Sequence, residues 1–114
     1  MPKLPTPPRK FTQGWLADLD GRTDTAKQMR ERFASFTQDL GGAERLSYAQ
    51  RSLVERALWL EFWLASQERE LAEGKEFDVG KWVQAANSLQ GIMSKLGLER
   101  VAREVPSLRE YIQR

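Results

Sequence analysis

The chain of 114 residues contains neither cysteine nor histidine. Without cysteine there are no disulfides and no thiolate metal sites, and cysteine usage gives no information on the redox compartment. Without histidine the chain lacks the commonest metal ligand and the commonest general base. Glycine-rich phosphate loops, serine-nucleophile elbows and histidine-bearing metal motifs are missing as well. We therefore expect a protein that is not an enzyme and that holds no metal and no cofactor.

Long apolar runs are also missing. No run approaches the roughly 20 residues of a transmembrane helix, and the first ten residues lack the apolar core of a secretory signal. With 40% hydrophobic and 30% charged residues, the composition is that of a globular protein, and the net charge of +2 is small. The length fits one domain. We expect a cytoplasmic protein without a membrane partner.

Proline is concentrated at the N-terminus and predicts an extended arm. Pro2, Pro5, Pro7 and Pro8 lie within the first ten residues, where the charged residues are all cationic. Two interpretations stay open: a disordered tail, or a basic arm that lies along nucleic acid or a partner. Phe11 and Trp15 follow the arm, and we expect these aromatic residues to anchor it to the body.

Three segments with apolar residues three and four positions apart predict helices. They run from near Thr23 to Leu40, from the capping residue Ser47 to about Glu73, and from the capping residue Asp78 to just before Gly97. Ser47 and Gln50 form a capping-box pattern. Gly91, inside the third helix, is costly there and predicts a close helix crossing.

These helices predict an all-α fold. The second and third helices are joined by a short loop and should form an antiparallel hairpin, with an additional N-terminal helix and a short C-terminal helical tail. The expected organisation is a proline-rich basic arm and anchor over residues 1–22, a three-helix oligomerisation domain over 23–97, and the helical tail over 98–114.

The second helix has more apolar surface than one inner face requires. Its predicted inner face consists of Leu53, Ala57, Leu60, Leu64 and Leu71. Trp59, Phe62 and Trp63 point in other directions, so either helices of this chain or a second copy must cover them. Because aromatic residues are enriched at interfaces, we predict that Trp59, Phe62 and Trp63 belong to an oligomer interface. Glu61, between them, is expected to point outwards or to pair with an arginine.

Nucleic-acid binding is a further hypothesis, because an oligomer repeats each basic arm and sums its phosphate contacts. The candidate DNA-binding residues are Lys3, Arg9, Lys10, Arg22, Lys27 and Arg30. A helix-turn-helix is not expected, since the loop from Gly41 to Leu46 is too long and the second helix is too apolar for a major groove.

Several short strings along the chain are considered together: Gly14-Trp15-Leu16, Leu19-Asp20-Gly21-Arg22-Thr23, Leu46-Ser47-Tyr48, Ala57-Leu58-Trp59-Leu60-Glu61, Asn87-Ser88-Leu89, Leu96-Gly97-Leu98-Glu99-Arg100 and Val105-Pro106-Ser107-Leu108. In this combination the chain resembles small helical proteins encoded among the DNA-packaging genes of bacteriophages and prophages, and it is similar to small terminase subunits. The resemblance covers most of the chain from Gly14 onward.

The resemblance implies a non-enzymatic component of phage DNA packaging. Such proteins oligomerise through a helical hairpin, commonly as a ring, bind viral DNA and regulate the large terminase subunit. Here the hairpin of the second and third helices would assemble the oligomer, and the tail would contact the large subunit through Leu108, Tyr111 and Ile112. The chain departs from the family pattern because it has no N-terminal helix-turn-helix.

Two alternatives stay open at this point. One is a phage-encoded helical adaptor that binds and modulates a host protein through the exposed aromatic residues. The other is a nucleic-acid-binding regulator that acts through the basic arm.

Overall fold

The computed structural model describes residues 3–97, which form four α-helices and one short 3₁₀ helix. The α-helices are α1 (Trp15–Asp18), α2 (Asp24–Asp39), α3 (Tyr48–Ala72) and α4 (Val79–Leu96), and the 3₁₀ turn is Ala43–Arg45. The predicted all-α class, with a helical hairpin and an additional N-terminal helix, is confirmed. The predicted C-terminal tail, with Leu108, Tyr111 and Ile112, lies outside the described residues.

Side chains cap the three long helices at their N-termini. The Thr23 side chain accepts a hydrogen bond from the Ala26 amide, and the Asp78 side chain accepts one from the Lys81 amide. Ser47 and Gln50 form both bonds of the capping box. Each cap satisfies backbone amides that have no partner within the helix. The helix starts predicted from these residues are therefore confirmed.

The core lies where α1 and α2 pack against the first half of α3. Trp15, Leu19, Val54 and Leu58 are its largest fully buried side chains. Ala57 and Leu64 of the predicted inner face are buried, but Leu71 is exposed. That prediction was wrong at Leu71 and missed Val54 and Leu58, because this half of α3 has neighbours on more than one side.

The part of the α3–α4 hairpin that includes its connecting loop differs from the core region in its burial. The Trp82 indole N–H donates to the Glu68 carboxylate at 3.2 Å, which joins the two helices near the connecting loop. From Ala65 to Lys95, however, no residue is buried, and Leu96 is the first buried residue of α4. We call this part, residues 65–95, the distal hairpin. Within residues 3–97 no third element seals the apolar residues at its loop end, whereas Ile92, near the other end of α4, packs against the core cluster.

Gly91 does not mark a close helix crossing. A β-carbon at this position would have no atom of a neighbouring helix within 4 Å. The predicted crossing is therefore wrong within the described part of the chain.

We predict that Gly91→Ala stabilises the protein by about 1 kcal/mol, because alanine loses less conformational entropy in a helix. Gly74→Ala is the matched control: it also has open space, but its φ of +79° lies in the left-handed region. It should destabilise by about 1 kcal/mol. Chemical denaturation measures both values, and a destabilising Gly91→Ala would contradict the open environment.

Candidate functional site

The proline-rich arm is attached to α3 through Trp59. The indole N–H of Trp59 donates a hydrogen bond of 2.7 Å to the Pro8 carbonyl. The Phe11 ring meets the Trp59 ring edge-on, with centroids 6.3 Å apart. The Arg56 guanidinium lies 4.1 Å from the Phe11 centroid. One hydrogen bond, one aromatic contact and one cation–π contact therefore hold this end of the arm.

A second attachment lies near the start of the arm. Leu4 pairs with Leu19 in an isolated parallel bridge. Its amide donates to the Asp18 carbonyl at 2.9 Å, and its carbonyl accepts from the Asp20 amide at 2.6 Å. The Lys3 ammonium also donates to the Ala17 carbonyl at 3.2 Å. The interpretation of residues 3–10 as a disordered tail is therefore wrong, because both ends of this segment contact the helices.

The three predicted interface residues lie in different environments. Trp59 and Phe62 are half-buried and pack against the core, and Trp59 also carries the arm. Trp63 is half-buried and lies outside that core cluster. The chain's own segments thus cover parts of Trp59 and Phe62, and Trp63 is the member of the trio least involved in the core.

Three of the predicted DNA-binding residues come together at the turn between α1 and α2. Lys3 is close enough to Asp20 for its charge to lower the pKa of that carboxyl. Arg22 forms a salt bridge with Asp20. The Arg30 guanidinium lies over Gly21, where an added β-carbon would stand 2.6 Å from its Nη1. We call Lys3, Arg22 and Arg30 the basic turn.

The other three candidates are exposed. Lys27 lies on α2, one turn before Arg30. Arg9 and Lys10 follow Pro8 and therefore lie at the end of the arm held by α3.

The basic turn is partly neutralised by its own aspartate. Arg22 donates to Asp20 through Nε and Nη2, each at 3.1 Å, and through its backbone amide at 3.1 Å. These bonds hold the pKa of the Asp20 carboxyl below its ordinary value, and the charges of Arg22 and Lys3 lower it further. The Asp20 carboxylate likewise raises the pKa of Arg22.

We predict that Arg22→Gln raises the pKa of Asp20 towards its ordinary value, because the charged donors are lost. In the native protein this carboxylate contributes stability above the unfolded-state pKa, and the contribution is lost as the pH falls through the lowered folded-state pKa. Carboxyl NMR titration measures the change. Lys10→Gln, which removes a cation from the α3 end of the arm, is the control and should leave the Asp20 pKa unchanged.

We also predict that Trp59→Phe loosens the arm, since the phenyl ring keeps apolar contact but has no N–H for Pro8. Loss of one hydrogen bond, about 1 kcal/mol, corresponds to an approximately fivefold larger open population. Limited trypsin digestion measures this population through cleavage after Arg9 and Lys10. Trp63→Phe is the control. Equal cleavage rates for the two variants would contradict a role of the Trp59–Pro8 bond.

A groove of about 450 Å³ opens between α2, α3 and the end of α4. Phe36, Leu40, Leu58 and Met93 give it an apolar lining, and Glu61 also lines it. Glu61 accepts from Arg32 at 3.1 Å, so its expected pairing with an arginine is confirmed. Sequence patterns did not reveal the groove, because its wall combines three helices whose crossing is not encoded in the periodicity of any one of them.

Neither a metal site nor a membrane-spanning helix is found within residues 3–97. These residues contain no cluster of three or more acidic side chains placed to hold a metal ion. None of their helices combines the length and the apolar character needed to cross a bilayer.

Comparisons of the chain with models of known protein families, with curated proteins and with solved structures find no match.

Proposed function

We propose that the protein is a non-enzymatic assembly component that forms homo-oligomers through the α3–α4 hairpin. Its proposed setting is phage DNA packaging in the host cytoplasm, with DNA and the large terminase subunit as partners. The resemblance of the sequence to small terminase subunits supports the setting. The distal hairpin supports the self-association, which is the part of the proposal that rests on geometry.

The observation that carries the proposal is the unsealed apolar surface of the distal hairpin. Leu71, Val79 and Val83 expose 51%, 60% and 42% of their surface, and Phe77 and Trp82 beside them are half-buried. Two helices that pack only against each other leave part of their apolar faces in water. A second hairpin would cover these faces and complete a helical bundle. Burial of this surface between copies also removes apolar area from water.

Trp63 is a further candidate for the contact between copies. It lies on α3 just before the distal hairpin and outside the core cluster, so an oligomer that buries the hairpin also has this ring within reach. Trp59 is a weaker candidate for direct contact, because its indole N–H already binds the arm.

The proposed DNA contacts are electrostatic. Arg9, Lys10, Lys27 and Arg30 are exposed, and an oligomer would repeat each of them. Summed phosphate contacts then give an affinity that falls steeply with salt.

Gel filtration with light scattering tests the self-association. We expect the protein to be oligomeric at micromolar concentration and Val79→Glu/Val83→Glu to be monomeric, because the two glutamates place charge within the apolar contact. The matched control is Gln84→Glu/Ser88→Glu, which adds two glutamates with the same spacing to the other side of α4. The control should remain oligomeric.

A monomeric native protein would overturn the proposed self-association, and equal dissociation by both double variants would overturn the assignment of the contact to the Val79 and Val83 side of α4. The packaging setting is tested separately, by measuring binding of the purified protein to a large terminase subunit and to DNA at increasing salt. Oligomers that bind neither would place the protein in another assembly.

A further inference from the structure

We propose that the contact between copies joins the loop end of one distal hairpin to the face of α3 that carries the arm in another copy. This inference rests on the proposed self-association and names the two surfaces that meet. It follows from the opposite charges of these surfaces and from the apolar side chains that each of them leaves partly exposed.

The arm places cations beside the aromatic surface of α3. Both residues that flank Arg9 and Lys10 contact Trp59, which holds this pair of exposed cations next to the helix. The exposed Arg56 of α3 lies against the aromatic ring that follows them and adds a third cation. Trp63 comes one helical turn after Trp59 and therefore lies on the same side of α3. We call Arg9, Lys10, Arg56 and Trp63 the cationic face.

The acidic residues of α3 that are nearest to this face in sequence are already bonded within the chain. The Glu55 carboxylate accepts from the Gly14 amide at 3.0 Å. The Glu61 carboxylate accepts from Arg32 at 3.1 Å. Residues 3–12 of the arm contain no acidic residue at all. The cationic face therefore keeps an excess of positive charge.

The loop end of the distal hairpin, residues 68–81, carries the opposite net charge. Its acidic residues are Glu68, Glu70, Glu73, Glu76 and Asp78, and its basic residues are Arg69, Lys75 and Lys81. Lys75 pairs with Glu73 of the same loop end at 3.1 Å. Leu71 and Val79 lie in this segment and are exposed. The loop end thus combines exposed apolar side chains with an excess of acidic ones.

Charge selects among the ways in which two hairpins can pack. If two loop ends met, their excess acidic residues would face each other and repel. An antiparallel arrangement brings each loop end to the cationic face of another copy and sets opposite charges against each other. Exposed ion pairs contribute little to affinity, so the apolar contact of Leu71 and Val79 with Trp63 supplies most of the binding free energy. The charges fix the register.

This contact also determines which cations are left for DNA. Arg9 and Lys10 face the neighbouring copy in this arrangement. Lys27 and Arg30, which are exposed on α2, would then bind phosphates in the assembled protein.

Charge reversal in the full chain tests the contact, with gel filtration and light scattering at low salt as the measurement. The arm variant is Arg9→Glu/Lys10→Glu, and the loop variant is Glu73→Lys/Glu76→Lys. Asp78 is kept because it caps α4. We expect each variant alone to dissociate at an about 10-fold higher concentration than the native protein, because like charges then face each other across the contact.

A 1:1 mixture of the two variants should assemble as the native protein does. In the mixture the reversed arm of one variant meets the reversed loop of the other, and the two unreversed surfaces also match. Recovery in the mixture shows at the same time that both variants are folded. The matched control is Lys27→Glu/Arg30→Glu, which changes the net charge as much as the arm variant does and should leave assembly unchanged.

The outcomes separate this contact from self-association itself. If the native protein assembles and neither reversal weakens it, the contact is overturned but the self-association is not. The same holds if the two variants are weakened and their mixture does not recover. A monomeric native protein would overturn both proposals.

Discussion

The burial of Trp15 is the interaction on which the body of this protein depends. Its ring is fully buried, and its indole N–H donates to the Glu55 backbone carbonyl at 3.1 Å. The Glu55 carboxylate in turn accepts from the Gly14 amide at 3.0 Å. A buried indole needs a partner for its N–H, and here a carbonyl of α3 supplies it. The aromatic ring and the two hydrogen bonds thus fix α1 to α3.

The position of α1 then determines what surrounds it. Leu19, directly after α1, is buried and pairs with Leu4, so the start of the arm is placed by the same helix. The turn that carries Asp20 and Arg22 follows at once. The attachment of the arm at Leu4 and the position of the basic turn are therefore consequences of how one tryptophan packs.

Local features of the sequence predicted the long helices well. Capping bonds at Thr23, Ser47 and Asp78 connect residues three positions apart, so the sequence alone contains all the information they need. The all-α class and the hairpin follow from these helices and their short loop.

Features that depend on distant residues were predicted less well. α1 has four residues, too few for a periodic pattern, and its position comes from a contact with Glu55, about 40 residues away in sequence. The bond between Trp59 and Pro8 spans 51 positions and leaves no local signal. Among the site residues, Lys3, Arg22 and Arg30 come together only because the arm folds back, whereas Arg9 and Lys10 lie elsewhere. The groove likewise depends on a crossing of helices that periodicity does not specify.

The uneven distribution of buried residues along α3 and α4 has a consequence for folding. Where side chains are fully buried, local unfolding exposes much apolar area and its free energy is high. Where no side chain is buried, the free energy of local unfolding is low. The loop end of the hairpin should therefore fray in an isolated subunit while the Trp15 region stays closed. In the proposed oligomer a second copy would bind this end and order it, and the thermal stability would then rise with the concentration of the protein.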